Sequence, residues 1–212
     1  MKSKYFSEFL GTAFLFCTVV GSGIMGQNLS SNDSLTLLAN TLATVFALYF
    51  LITVFGDHSS HFNPVVSMVM LVRKEITTQV CTVFIILQIS GAILGVMLAN
   101  YIFELDPVYF SEKPRSGTHL FVSEILATFG LLMVILLSSK EKVAVTVAAY
   151  IGAAYWFTSS TSFANPAGTI GRSFSNTFAG ISTNDILHFC VAQIIGAFLA
   201  LFVYKTFFES QK

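Results

Sequence analysis

Two short stretches, "HFNPVVSM" from His61 to Met68 and "SFANPAGTIGRSF" from Ser162 to Phe174, each set an asparagine before a proline in an otherwise apolar chain. Asparagine is a favoured helix N-cap and proline suits the first helical position, so helices are predicted to open at Pro64 and at Pro166. Each asparagine amide carries two N–H donors and a carbonyl acceptor. Two carboxylates, Glu8 and Glu124, also lie inside apolar runs. Such groups are costly unless partnered. They read either as a proton-relay pair of a coupled transporter or as acceptors for internal donors. Asp57, His58 and His61 have no fourth ligand nearby and do not make a metal site. No clustered nucleophile and base and no metal triad lies inside the apolar runs, so the sequence predicts no enzyme, no cofactor and no metal.

The elements that must hold these residues are membrane spans. Of 212 residues, 54% are hydrophobic and 10% charged, against about a quarter charged in an average soluble domain. Net charge is zero, with Lys and Arg scattered, which argues against nucleic acid as a partner. Cys17, Cys81 and Cys190 lie in apolar runs without CxxC spacing and read as small buried hydrophobes. Crossing a bilayer takes roughly 20 apolar residues. Six runs qualify: 6–25, 35–55, 76–103, 119–138, 143–159 and 186–208. The first contains Glu8 and has no cleavage pattern after it, so it reads as a span and not as a signal peptide. The runs are too long and continuous for tilted strands.

Two shorter apolar stretches, 64–72 and 166–178, cannot cross and read as half-helices opened by Asn63 and Asn165. With the N-terminus inside, inner segments hold Lys2, Lys4, Arg73, Lys74, Lys140, Lys142, Lys205 and Lys212, while outer ones hold only Lys113, Arg115 and Arg172. That asymmetry places both termini in the cytoplasm, in a multi-pass protein of the inner or plasma membrane.

The chain repeats itself. "SEFLGT" with Glu8 matches "SEILAT" with Glu124, Asn63-Pro64 matches Asn165-Pro166, and "QISGAILG" with Gln88 matches "QIIGAFLA" with Gln193, all in the same order. The halves, 1–110 and 111–212, each hold three spans, an odd number, and so must be inverted relative to one another within one domain, 1–212. Both half-helices then dip in from opposite faces and meet near the midplane. Non-helical backbone at that depth is tolerated where it is buried in protein or lines a wet cavity.

In these pieces the chain resembles the aquaporin, or major intrinsic protein, family, over nearly its whole length. The resemblance implies an all-α fold of six spans and two re-entrant half-helices, and one pore per chain in a homotetramer. It also implies passive flux of water or small neutral solutes. The pore motifs would be Asn63, Pro64 and Val65, and Asn165, Pro166 and Ala167, with Val65 a departure from the usual alanine. Glu8, Glu124, His61, Gln88 and Gln193 would brace the loops before the half-helices. Half-helix N-termini carry about +0.5 charge each. With the Asn donors they would exclude protons and cations.

The family's outer constriction, carried over by spacing, falls on Thr44, Ala153, Ser162 and Gly168. Ala43 competes with Thr44, and Phe163 with Ser162. The family normally has arginine where Gly168 stands. The predicted opening is therefore wide, mildly polar and uncharged. That pattern is similar to an aquaglyceroporin-like bacterial branch associated with arsenite and related neutral acids. Arg172 reads either as a displaced filter charge or as a tie from the outer loop to Glu104, Asp106 or Glu112. The two function classes left are a channel for water, glycerol, urea or neutral metalloid acids, and a proton-coupled transporter using Glu8 and Glu124.

Overall fold

The computed structural model describes residues 2–209. Met1 and residues 210–212 lie outside it, including the Lys212 counted in the orientation argument. The chain forms α1 (Lys2–Leu29), α2 (Asp33–Phe55), α3 (Pro64–Val72), α4 (Thr78–Ile102), α5 (Thr118–Leu137), α6 (Val143–Phe157), α7 (Pro166–Arg172) and α8 (Ile186–Phe207), with a 3₁₀ turn at Thr183–Asp185. Five of these are long and apolar enough to span a membrane, and α6, the remaining predicted span, has 15 residues. A helix of that length reaches about 23 Å, less than the roughly 30 Å hydrocarbon core. The chain is a multi-pass membrane protein.

Local chemistry fixes the helix starts. Asn32 opens α2 by accepting from the backbone N–H groups of Ser34 and Leu35, and Thr77 opens α4 by accepting from that of Val80. Asn63 and Asn165 open α3 and α7, each followed by proline at the first helical position. The second half-helix is shorter than the predicted 166–178. It stops at Arg172, and Ser173 caps it. The following segment pairs with the α4–α5 loop instead. Tyr109 N–H donates to Phe174 O at 3.1 Å and Ser111 N–H to Ser173 O at 2.8 Å.

Packing follows the membrane rule that small residues admit close backbone approach. A Cβ at Gly95 would overlap the carbonyl oxygen of Ala13, and one at Gly91 would lie 2.5 Å from that of Phe9, so α4 crosses α1 at its glycines. Gly196 of α8 meets α5 in the same way, at the carbonyl of Ile125. The outward faces carry large exposed apolar side chains such as Phe14, Phe46, Leu98, Val122, Leu187 and Phe202. Polar groups are turned inward. Glu8, Gln88, Glu124 and Gln193 are each 0% exposed.

Candidate pore

Each half-helix is preceded by a strained loop. Phe62 has φ 48° and Ala164 has φ 47°, a left-handed conformation unusual for residues with a side chain. Such residues persist only where their surroundings over-determine them. Here a carboxylate does so. Glu8 accepts from His61 N–H at 2.7 Å, Phe62 N–H at 2.8 Å and Ser59 Oγ at 2.6 Å. Glu124 accepts from Phe163 N–H and Ala164 N–H, both at 2.9 Å.

A glutamine completes each site. Gln88 Nε2 donates to Glu8 at 2.8 Å and to Ser67 Oγ at 3.0 Å. Gln193 Nε2 donates to Glu124 at 2.6 Å and to Thr169 Oγ1 at 2.9 Å. His61 packs edge-on against Phe84 with centroids 5.4 Å apart, its Nδ1 lying 3.0 Å from Ser67 Oγ. In the other half Phe163 packs against Phe189 at 5.1 Å. The two halves are thus built on one plan. The carboxylates sit behind the loops and do not line the central cavity.

The two half-helices meet end to end. Asn63 Nδ2 donates to Ala164 O and Asn165 Nδ2 to Phe62 O, both at 2.8 Å, so each amide ties down the opposite loop. Asn63 Oδ1 accepts from Val65 N–H at 3.2 Å, and Asn165 Oδ1 from Ala167 N–H at 3.0 Å and Gly168 N–H at 3.3 Å. An amide nitrogen has two N–H donors. The cross-tie uses one, which leaves one on each asparagine, and both side chains line the cavity. Its volume is about 510 Å³. Apolar walls come from Leu15, Val19, Leu48, Val66 and Val147, and its other end reaches His58 and Lys140.

The positions carried over for the filter divide. Thr44 and Ser162 line the cavity, as does Phe163, while Ala43 does not. Ala153 is exposed on the outer side of α6, and the lining residues from that helix are Val143, Val147, Ile151 and Tyr155. One helical residue is about 100° of rotation, enough to turn a side chain from lumen to lipid. Tyr155, two residues and about 200° round the helix from Ala153, faces the cavity instead, with its Oη 3.2 Å from Thr44 Oγ1.

Gly168 is buried but is not a lining residue. A Cβ there would overlap the ring of Phe16, which does line the cavity. The glycine makes room for a phenylalanine rather than for solute. Phe16 and Tyr155 were missed by spacing arguments. The absent side chain at position 168 is the available signal for the first; for the second, the same span also carries Tyr150, and residue type alone does not tell the two phenols apart.

Of the two readings of Arg172, the tie to an outer-loop acid is not found. Arg172 is only 4% exposed, and among the described residues it pairs with none of Glu104, Asp106 or Glu112. Its Nε donates to Ala179 O, its guanidinium lies 3.3 Å from the Phe163 ring centroid, and it lines the cavity. Arg115, by contrast, is used up in holding loops. Its Nε donates to Gly180 O at 2.8 Å and its Nη1 to Ser160 O at 3.2 Å. Lys113, in the same α4–α5 loop, donates to Phe178 O at 2.8 Å. Burial, with the Arg115 and Arg172 charges nearby, pushes its pKa down to about 8.

A bundle of apolar helices enclosing two opposed half-helices, with amide donors facing a central cavity, defines a membrane channel. The chain belongs to the major intrinsic protein family, whose model matches residues 1–204. It is 46% identical over 199 residues to the aquaglyceroporin AqpS of Rhizobium meliloti (strain 1021), covering 92% of this chain and 85% of that protein. It is 32% identical over 218 residues to the glycerol uptake facilitator protein-like 6 of Lactiplantibacillus plantarum, covering 94% and 95%. Among solved structures, the aquaglyceroporin from Plasmodium falciparum superposes with a TM-score of 0.75 at 20% identity, covering 99% of this chain and 98% of that one. That last likeness shows the fold. Family membership makes the chain a passive channel for water and small solutes and not an enzyme.

Proposed function

We propose that this channel passes water and small uncharged solutes of about glycerol size, urea and neutral metalloid acids such as arsenite among them, and excludes protons and ions. The crossed asparagines carry this reading. Each keeps one N–H for the lumen, at the point where two helix N-termini face each other. A water there gives its oxygen to both donors and turns its hydrogens outward, away from each other, which interrupts a proton wire. The two positive helix ends repel cations at the same place. The aquaglyceroporin named among the relatives supports glycerol-sized solutes. The transporter alternative assigns proton transfer to Glu8 and Glu124, and both are spent on loop N–H donors outside the cavity.

The chain is read as one channel domain, 1–212, of two inverted halves, 1–110 and 111–212, with both termini cytoplasmic. It sits in the plasma or inner membrane. The outward apolar faces suit lipid and three further copies in a homotetramer.

Swelling of proteoliposomes in water, glycerol, urea and a neutral metalloid acid tests the solute class. Proton current under an imposed potential tests exclusion. We expect no measurable proton current in the parent and a clear leak in Asn165→Asp, which puts a carboxylate at the barrier. A large proton current in the parent overturns the exclusion account.

A further inference from the structure

We propose that Arg172 is the selectivity cation of this pore, delivered to the lumen from one helical turn beyond Gly168 and held there by Phe163. The assignment rests on the channel reading above and deepens it, because it makes the opening narrower and more cationic than Thr, Ser and Gly alone provide. The preferred solutes are then neutral molecules rich in acceptor oxygens, and small organic cations are rejected.

Three observations lead here. The first is helical geometry. Residues four apart share a face, so Arg172 lies on the same side of α7 as Gly168. Helical side chains lean toward the N-terminus, so a long side chain at 172 reaches back over the turn that Gly168 leaves bare. The level of the lumen that a residue at 168 would serve is reached by the guanidinium from 172, while the space directly beside Gly168 is filled by Phe16.

The second is immobilisation. A guanidinium on an aromatic face is favourable, the more so when desolvated. Here the stacking distance is 3.3 Å, and a second point of attachment, Nε to Ala179 O, fixes the plane. Phe163 is itself anchored by Phe189 and by the Glu124 bond to its N–H. Arg115 lies over the same ring, 4.7 Å from its centroid, but its Nε and Nη1 are bound to the Gly180 and Ser160 carbonyls, so of the two guanidiniums Arg172 is the one with free terminal nitrogens.

The third is what remains unused. Among the described residues the terminal nitrogens, Nη1 and Nη2, have no protein acceptor, nor are they among the sealed polar atoms left without a partner. Arg172 lines the cavity, so these donors face it. Around the same cavity stand the Tyr155 and Thr44 hydroxyls and the Ser162 Oγ, which is buried without a partner. The set comprises a fork of cationic donors and three hydroxyls. It can bind and release oxygen acceptors on a neutral solute, and it repels positive charge.

The test compares parent, Arg172→Gln and Arg172→Lys in proteoliposomes at matched density. Permeabilities to glycerol, erythritol and methylammonium are measured. Gln can still donate to Ala179 O but carries no charge, whereas Lys keeps the charge and loses the planar stack. Arg172→Gln is expected to raise methylammonium relative to glycerol permeability about tenfold, the effect of a charge interaction of ordinary size. Arg172→Lys is expected to keep methylammonium excluded yet admit more erythritol relative to glycerol. A purely structural role would shift both variants alike, or neither, and either pattern overturns the assignment. If one variant does not assemble, Phe163→Leu, which removes the platform, replaces it. A rise in its erythritol-to-glycerol ratio supports the assignment and an unchanged ratio overturns it. A parent that conducts neither glycerol nor water would refute the channel reading itself. A conducting parent with unaltered variants refutes only the role of Arg172.

Discussion

Glu124→Ala is expected to give little assembled protein. The substitution strands three donors at once: Phe163 N–H, Ala164 N–H and Gln193 Nε2. Each orphaned buried donor costs about 1–3 kcal/mol. Ala164 would also have to hold φ 47° with nothing gripping its N–H, and strain of this kind persists only when the surroundings impose it. Against a folded state stable by about 5–15 kcal/mol, that sum is a large fraction. Glu124→Gln keeps one acceptor oxygen but turns an NH₂ toward N–H donors, so it should fall between parent and alanine. Glu8→Ala should behave like Glu124→Ala, because Ser59, His61, Phe62 and Gln88 all donate to Glu8. Detergent-solubilised yield, monodispersity and Tm are the readouts. A Glu124→Ala protein with parental Tm and full permeability would show that the carboxylate does not brace the loop.

Gly168→Arg is expected to close the pore to glycerol. The first atom of the new side chain already overlaps the Phe16 ring, which must swing away. Overpacking of this kind costs about 1–3 kcal/mol, which a folded channel can survive. Phe16 already lines the cavity, so the displaced ring and the new guanidinium compete for the same lumen as Arg172. A barrier raised by roughly 1.4 kcal/mol slows passage about tenfold, so glycerol flux should drop at least that far while water flux falls less. The double variant Phe16→Ala, Gly168→Arg restores the space and should recover much of the glycerol flux. That recovery is a coupling between neighbours that independent sites would not show. The ratio of glycerol to water permeability in the same liposomes is the measurement. If Gly168→Arg alone leaves the ratio unchanged, Phe16 is not part of the constriction.

How far the sequence carried these conclusions depends on the residue. Glu8, Glu124, Gln88 and Gln193 stand out because a polar side chain in an apolar span must have a partner, Asn63 and Asn165 because each opens a short apolar stretch ahead of a proline, and each of the six has its counterpart in the other half. The structure brings all six together behind or at the meeting point of the half-helices. The filter was harder to read. Ala153 rests on spacing carried over from a family pattern, and an offset of a residue or two on a helix changes which face a side chain takes. Gly168 looked like a gap in the wall because a sequence does not show that Phe16 fills it from another helix. Residue type leaves Arg172 open between pore and loop, because long cations near helix ends usually reach outward. What holds it inward is a ring nine positions earlier, on a loop whose left-handed turns at Thr161, Ser162 and Ala164 are not visible in residue types.

Initial glycerol flux in proteoliposomes, taken across a range of gradients, pH differences and temperatures, tests the central claim most directly. A passive pore predicts flux linear in the gradient, indifferent to an imposed pH difference, and with a low activation energy. Flux that saturates, follows the pH difference or carries a steep activation energy would contradict it.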